Sequence, residues 1–353
     1  MRATLQAVGA LIIGGFGGLV FKYLHLPLPW TLGSLAAVGI AAIFGSRLLV
    51  PPQLRHAARP VVGVLAGSAF TVEIVAGMAQ WWPILPTVLL YTLATAILGS
   101  IYFARVCRFD QATAVFASFP GGLGELTLLG GSLGGDVRKL ALVHSARVIT
   151  VVFCVPFIVR ALAGDHVGTP TLPALTQHAA AITAGDWLIL AACAAGGYLL
   201  RHIFSPLGGA MVAAMIFSAI AHGAGLTAAQ PPQWLVGLVQ VTIGAIVGSR
   251  LGGTTHSELG KTMLQGAAWA VVLISLAAVT AVVCGLFLDF DRPTLLLAMA
   301  PGGLVENTLL AYAMGLEIAF VVTTQLCRVV GTMVLAPVLF RVLGPKSPPS
   351  ETQ

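Results

Sequence analysis

Charge is scarce in this sequence. Of its 353 residues only 8 % are charged, whereas 58 % are hydrophobic and the mean hydropathy is +0.96. A typical soluble domain carries about 25 % charged residues, and a soluble fold cannot cover so much apolar surface with so few charges, so that class is excluded. The composition predicts a protein that crosses a membrane several times, with roughly 20 apolar residues in each crossing.

Alternation of polar and apolar residues is also missing. A membrane β-barrel shows it in every strand, whereas apolar runs such as ILPTVLLYTLATAILGSIYF, starting at Ile84, are continuous. Backbone hydrogen bonds must be satisfied within the lipid, which leaves helices. We therefore predict an all-α polytopic membrane protein.

The N-terminal run resembles a signal peptide, but a matching segment near Trp187 favours a retained first span.

Cysteine is rare and scattered. The five cysteines lie mostly within apolar runs and form no C-x-x-C pair, which argues against disulfides and thiolate metal sites. We interpret them as small apolar packing residues. The net charge of +6 requires no nucleic acid, because the cytoplasmic loops of membrane proteins are rich in Lys and Arg.

What the sequence does contain is a repeat. The stretch PGGLGELTLL from Pro120 returns as PGGLVENTLL from Pro301, and the register that pairs these two prolines also pairs Arg147 with Arg328. A match that extends this far predicts a tandem duplication. The expected boundaries are 1–163 for the first membrane repeat, 164–185 for a polar linker, 186–345 for the second membrane repeat and 346–353 for a polar tail.

Each repeat contains six apolar segments, and the fifth holds the Pro-Gly-Gly. If all six cross the membrane, the repeats point the same way; if the fifth is re-entrant, each has five crossings and the repeats are inverted. With a cytoplasmic N-terminus and the intramembrane arginines set aside, the re-entrant arrangement leaves only Lys22, Arg160 and Arg292 outside, as the positive-inside rule prefers. We predict ten crossings, an inverted repeat and cytoplasmic termini; the alternative is a broken helix that still crosses.

The Pro-Gly-Gly segments predict breaks in helices. Proline cannot donate a backbone hydrogen bond and glycine tolerates nearly any backbone angle, and broken backbone at membrane depth must face protein or water. The N–H groups that start the second half-helix favour an anion, and the freed carbonyls on the other side favour a cation. Paired interrupted helices in two repeats are the best sequence indication of a transporter's binding site.

Each break is followed by a glutamate, Glu125 or Glu306, in the expected first turn of the second half-helix. An ionisable group inside a membrane segment costs roughly 2.5–3.5 kcal/mol on insertion scales. Two at matching positions favour proton coupling, cation coupling or substrate contact over a structural cap or ion pair. The hydroxyls of Thr127 and Thr308 follow closely, and Asn307 has no polar counterpart in the first repeat.

The next segment of each repeat carries an arginine, Arg147 or Arg328, in a polar or small stripe that should face a cavity or the broken segment. The guanidinium suits anion binding; an ion pair with Glu125, or snorkelling of Arg147 to the interface, are the other interpretations. His144 is either a proton carrier or a core histidine. The candidate binding residues are Pro120, Gly121, Gly122, Glu125, Thr127, His144, Arg147, Pro301, Gly302, Gly303, Glu306, Asn307, Thr308, Gln325 and Arg328.

The doubled P-G-G-L-x-E-x-T-L-L signature, each copy followed by an arginine-containing helix, resembles the AbrB-duplication membrane protein family of bacterial inner membranes. Members are often labelled as ammonia monooxygenases or as transcriptional regulators. The family is grouped with cation/proton antiporters and anion transporters that have inverted repeats and discontinuous helices. The resemblance therefore implies secondary transport, with an elevator motion as one form of it, and it assigns no catalytic residues.

The residues argue against both labels. The eight histidines are scattered, with no H-x-x-x-H pair inside a span, so no iron or copper site is expected, and no polar domain could hold a DNA-reading helix. We expect no enzyme, cofactor, metal or nucleic acid. The leading hypothesis is a secondary transporter of a small, anionic organic solute with a coupling ion, in the lipid bilayer and as a monomer or homodimer. A sensor or regulatory subunit without transport is the alternative, and a membrane oxidoreductase is the weakest.

Overall fold

A computed structural model describes residues 2–46, 50–121, 123–163, 182–250, 257–287 and 290–343, and within these ranges the chain is helical with no β-strand. The helices of the first repeat are α1 (Arg2–Tyr23), α2 (Pro29–Ile43), α3 (Pro52–Gly67), α4 (Val72–Gly77), α5 (Ile84–Ile101), α6 (Gln111–Ser118), α7 (Leu123–Ser132) and α8 (Val137–Ala163). Those of the second repeat are α9 (Ala184–Leu199), α10 (Ala210–Gly223), α11 (Gln233–Ser249), α12 (Ser257–Cys284), α13 (Arg292–Met299), α14 (Leu304–Met314) and α15 (Ile318–Leu343).

The helices form two bundles, and each bundle takes helices from both repeats. Bundle 1 contains α1–α3 and α9–α11, which pack on one another. Bundle 2 contains α5–α8 and α12–α15. The bundles meet along a narrower seam, where α3, α11 and the 3₁₀ turn Ser205–Leu207 contact α8, α14 and α15.

Packing between the repeats is reciprocal. Helix α2 packs on α11 and, in exchange, α3 packs on α10; likewise α5 packs on α15 while α12 packs on α8. The shorter helices follow the same exchange, with α6 on α15 and α13 on α8. A pattern in which element i of one unit contacts element j of the other, and j contacts i, is the signature of a two-fold relation. The duplicated sequence therefore folds as two units around a pseudo-two-fold axis.

Glycines set the distance between the repeats in bundle 1. A Cβ atom added to Gly63 of α3 would lie 2.2 Å from the carbonyl oxygen of Met211, and one added to Gly244 of α11 would lie 2.4 Å from that of Thr31. Gly67 and Gly248, one turn further on, make the same kind of backbone contact on α10 and α2. Gly63 with Gly67, and Gly244 with Gly248, are each spaced four residues apart, so both glycines lie on one helix face. They let the helix backbones touch, and such close packing stabilises helix pairs in lipid, where no hydrophobic driving force brings helices together.

Among the described residues, five helical segments are long and apolar enough to cross a membrane, which indicates a multi-pass membrane protein. They are Gln6–Tyr23, Ile84–Val106, Val137–Leu162, Gly260–Cys284 and Ile318–Leu343. The pair His56–Gly67 and Val72–Trp81 meets the same test together but bends by 69°, so the third apolar segment is not one straight helix as its composition suggests. After the bend, Thr71 caps the next helix, because its side chain accepts a hydrogen bond from the Ile74 N–H at 3.4 Å.

Other predicted crossings are shorter than the apolar runs that suggested them. Helices α2, α10 and α11 have 15, 14 and 17 residues, which at 1.5 Å per residue is below the roughly 30 Å of a hydrocarbon core. The count of ten crossings therefore stays a prediction. Most of the predicted linker, 164–181, and the predicted tail, 346–353, lie outside the described residues.

Candidate functional site

The site is built around two matching interruptions in the backbone. In the first repeat α6 begins at an Asp110 cap, whose carboxylate accepts from the Thr113 N–H at 2.8 Å, and ends at Ser118. In the second repeat Asp291 caps Thr294 in the same way at 3.0 Å, and α13 ends at Met299. The next helices start only at residues 123 and 304, since proline offers no N–H to continue a helical ladder.

Arg147 reaches from α8 to the first interruption. One terminal nitrogen of its guanidinium donates to the Phe119 carbonyl at 2.8 Å, and the other donates to the Gly121 carbonyl at 2.6 Å. The side chain is only 2 % exposed. The arginine therefore satisfies carbonyls that the helix break leaves without intrahelical partners.

Arg328 makes the equivalent contacts from α15 to the second interruption. Its terminal nitrogens donate to the carbonyls of Ala300 and Gly302, the latter at 2.7 Å, and also to the side-chain oxygen of Gln325. Its exposure is 1 %. Because Ala300 and Gly302 correspond to Phe119 and Gly121 in the register that pairs Pro120 with Pro301, one interaction is built twice.

The arginines bind backbone carbonyls of the interruptions. This role differs from the anion binding, the ion pair and the snorkelling considered from the sequence. A guanidinium buried this deeply does not extend to the membrane surface, so the snorkelling interpretation of Arg147 is wrong. The side chain of Glu125 lies outside the described residues, and no ion pair to Arg147 is seen among the described side chains. The positive charge instead lies at the C-terminal, negative end of a half-helix, where the helix dipole favours a cation.

The residue three positions before each arginine supports it. Gln325 donates to the carbonyls of Leu297 and Ala298 at 2.9 and 3.1 Å while its oxygen accepts from Arg328. At the equivalent position the His144 Nδ1 lies 3.3 Å from the Arg147 guanidinium. Arginine can only donate, so Nδ1 accepts, and the ring is neutral with its proton on Nε2. In this arrangement His144 holds Arg147 as Gln325 holds Arg328.

Both interruptions line one cavity of about 110 Å³ at the seam between the bundles. Bundle 2 contributes Gly121 from the first interruption, Gly302, Gly303 and Glu306 from the second, and Arg328. Glu306 is half-buried in the first turn of α14. The site therefore combines broken backbone, a helix N-terminus, a buried cation and a carboxylate.

The two repeats share this cavity only in part. Gly121 of the first repeat lines it together with Gly302, Gly303, Glu306 and Arg328 of the second repeat. Arg147 and His144, although buried beside the first interruption, are not among the lining residues.

The remaining predicted residues take local roles. Asn307 donates from its side chain to the Ala300 carbonyl at 3.2 Å, whereas Thr308 donates to the Leu304 carbonyl within its own helix at 2.7 Å. Thr127 is buried at 7 % exposure and is not among the residues that line the cavity. Pro120 and Pro301 are buried in the breaks. Gly122 lies outside the described residues.

Nearly the whole chain matches a known protein family. The family described as "Transition state regulatory protein AbrB" matches residues 7–344. The chain belongs to the AbrB family. The resemblance carried by the doubled signature is thereby confirmed, and the match spans both repeats.

Two relatives align over nearly the whole chain. A protein of Escherichia coli (strain K12) named "Putative regulator AbrB" is 27 % identical over 340 residues, covering 93 % of each chain. A protein of Bacillus subtilis (strain 168) named "Uncharacterized protein YhjN" is 23 % identical over 358 residues, covering 96 % of this chain and 93 % of its own.

Sequence reasoning about this AbrB-family chain missed two arginines. Arg59 of α3 and Arg250, just after α11, also line the cavity, although the charge analysis treated them only as cytoplasmic loop charges. The sequence contains one indication for Arg59: the repeat register pairs it with Gln240, so both repeats carry a polar residue at this position. No signal of this kind marks Arg250, whose counterpart is Ala69.

The described residues contain no group of three or more His, Cys, Asp or Glu side chains arranged to hold a metal ion. The site's chemistry, as far as these residues form it, is therefore that of arginine, one carboxylate and backbone dipoles. Such a set binds and orients charged groups.

Proposed function

We propose that this AbrB-family protein is a secondary active transporter of a small anionic solute, coupled to protons or another cation, and that the solute binds between the paired broken helices. The observation that carries the proposal is the cavity lined by both interruptions at the seam between the bundles. Discontinuous helices in matching places of two repeats, with half-helix N-termini facing a cavity, are the usual architecture of such sites.

The division into two bundles supports alternating access. Contacts within each bundle are extensive, whereas the seam is narrow and holds the cavity. One bundle can therefore move against the other without dismantling either core, which is the motion that secondary transporters use. We propose an elevator-like displacement of bundle 2, since it carries both interruptions.

We also propose that the repeats are inverted, with five crossings each and cytoplasmic termini in a bacterial inner membrane. The reciprocal packing supports a two-fold relation, and the Lys and Arg distribution favours the arrangement in which that axis lies in the membrane plane.

Glu306 is the proposed coupling group. It is the one carboxylate among the described residues that line the cavity, and it lies where a proton or cation can offset the charge of the solute. The carbonyls of the interruptions are weaker candidates, because the arginines already donate to them. His144 is also a weaker candidate, because its Nδ1 is engaged by Arg147.

The test is uptake into proteoliposomes under an imposed proton gradient. We expect Glu306→Gln to abolish gradient-driven uptake while leaving solute exchange measurable, and His144→Gln to retain uptake, because glutamine does the same work at position 325. Glu73→Gln, at an exposed carboxylate of α4, is the matched control. Uptake by Glu306→Gln with unchanged gradient dependence would remove Glu306 from this role.

A sensor without transport is the second candidate, because the E. coli relative is named a regulator. The same cavity could bind an anion and change how the bundles pack, with no flux. Specific solute binding by a folded protein, together with zero flux under every imposed gradient and a partner copurifying in fixed ratio, favours the sensor.

A further inference from the structure

We infer that one end of bundle 2 binds an anionic phospholipid through a group of cations, which we call the basic end. Its members are Arg105, Arg108, Arg138, Lys139 and Lys261. All are exposed except Lys139, which is half-buried. This lipid site is separate from the seam cavity and does not depend on the proposed function.

The basic end forms where three helices of bundle 2 meet. The Tyr102 hydroxyl, just beyond α5, donates to the Gln265 carbonyl of α12 at 3.2 Å, and Gln265 is one helical turn from Lys261. The Lys139 ammonium of α8 lies 5.4 Å from the centre of the Phe109 ring, in the loop that follows α5. Cations that are far apart in the sequence therefore share one surface.

The cations lie at the ends of apolar segments. Three candidate spans each have a cation next to their last or first residue: Arg105 in Ile84–Val106, Arg138 in Val137–Leu162 and Lys261 in Gly260–Cys284. Large apolar side chains beside them, including Val106 and Leu264, are exposed. Charge next to exposed apolar surface suits a phospholipid, because the phosphate and the acyl chain can be contacted together.

Neighbouring carboxylates do not neutralise the basic end. Its described acids are Asp110 and Asp136. Asp110 caps α6, and Asp136 accepts from the first N–H groups of α8 and pairs with the Lys139 ammonium at 3.6 Å. Among the described residues, no ion pair is formed by Arg105, Arg108, Arg138 or Lys261. Positive charge is therefore left for an anionic phosphate.

The second repeat supplies an internal comparison. The repeat register pairs Asp110 and Asp136 with Asp291 and Glu317, so the acids occur at both ends. The five cations, in chain order of the first four and then Lys261, pair with Leu286, Asp289, Ala319, Phe320 and Gln80. The half-helices of the second repeat thus form without cations at this end, so the fold does not require them. A cluster of Lys and Arg beside a membrane span is what anionic lipid headgroups attract.

The test is lipid binding to the purified, full-length protein, counted by native mass spectrometry. The probes are phosphatidylglycerol and phosphatidylcholine with the same acyl chains, so that only the headgroup differs. We expect tighter binding of phosphatidylglycerol, with a preference that falls as salt is raised, because salt screens exposed charges. Arg138→Gln and Lys261→Gln should each weaken phosphatidylglycerol binding about fivefold, the effect expected for one cation near an anionic lipid.

Arg292→Gln is the matched control and should bind as the wild type does. Arg292 is exposed and lies in bundle 2 at the start of α13, at the equivalent end of the second repeat. Arg138→Lys and Lys261→Arg keep the charge and should keep most of the binding. If a glutamine variant does not fold, the headgroup preference of the wild type and its salt dependence decide.

Four results overturn the lipid site. Equal binding of the two lipids leaves the cations only the role of orienting the chain during insertion. Wild-type binding by both glutamine variants, or an equal loss in Arg292→Gln, removes the basic end as the binding surface. Displacement of the lipid by an equal concentration of glycerol 3-phosphate indicates a site for soluble phosphates instead. Flux measurements test the proposed function separately, and neither outcome there alters these results.

Discussion

At the scale of single residues, the two buried arginines act as built-in cations. In many transporters, freed carbonyls of broken helices coordinate a coupling cation; here covalently attached guanidiniums donate to them. Each guanidinium has five N–H donors, of which Arg147 uses its terminal ones and leaves Nε–H without a partner. The arginines thus stabilise the breaks and still have a donor left.

Removing one arginine should expose this role. We expect Arg328→Ala to lower the free energy of unfolding by about 3 kcal/mol or more, because the Gly302 carbonyl and the Gln325 side-chain oxygen lose their donor and buried unsatisfied groups cost about 1–3 kcal/mol each. Millimolar methylguanidinium should restore part of the unfolding temperature, measured in detergent. The same reagent should not affect wild type or Arg105→Ala. A fully stable Arg328→Ala protein would contradict the assignment.

At the scale of helices, the residues that begin and end the half-helices occur at matching positions in both repeats. Asp110 and Asp291 cap the first half-helices, and Gly134 and Gly315 lie just beyond the second half-helices with φ values of 88° and 67°, a left-handed conformation that glycine adopts without steric cost. Local chemistry therefore ends and starts these helices at matching positions. Close packing of α3 on α10 and of α11 on α2 is the other repeated feature, and it depends on glycine.

Adding one methyl group at either glycine contact should have similar effects. We expect Gly63→Ala and Gly244→Ala each to lower the free energy of unfolding by about 1–3 kcal/mol, because overpacking forces backbones apart. Denaturant titration in mild detergent measures this. Gly15→Ala is the control: no atom lies within 4 Å of its added Cβ, and alanine favours the helix by about 1 kcal/mol. Strong destabilisation by only one of the pair would contradict the two-fold packing.

At the scale of the whole molecule, the direction of the pseudo-two-fold axis determines on which side of the membrane matching residues of the two repeats lie. Reciprocal packing fits an axis in the membrane plane or along its normal. Arg105 and Leu286 are matching positions in the repeat register, and both are exposed. In an inverted repeat they lie on opposite sides of the membrane, and in a parallel repeat on the same side.

Cysteine labelling decides between these topologies. In a background with all five native cysteines replaced, we expect Leu286→Cys to react with a membrane-impermeant thiol reagent added outside intact cells, and Arg105→Cys to react only after the membrane is permeabilised. This follows from placing Arg105 in the cytoplasm under the positive-inside rule. Labelling of both positions from the same side would reject the inverted arrangement.

Several features follow from the sequence alone, because their causes are local or compositional. Low charge and long apolar runs predict the membrane class, the repeat register reveals the duplication, and the doubled signature leads to the AbrB family. Helices end beside each Pro-Gly-Gly because proline and glycine act on their own neighbours. Helical spacing predicts that polar and small residues lie on the same helix face as Arg147 and as Arg328.

Only the tertiary structure decided what those stripes touch. Arg147 donates to the Phe119 carbonyl and Arg328 to the Ala300 carbonyl, each across 28 residues of chain. Whether each arginine binds an anion, a carboxylate side chain or backbone carbonyls therefore depends on how the helices pack. Arg59 and Arg250 reach the cavity from the other bundle, which no local pattern encodes for Arg250. Contacts between bundles depend on the relative positions of whole helices, and those positions come from glycine contacts and reciprocal packing that the linear order of residues does not reveal.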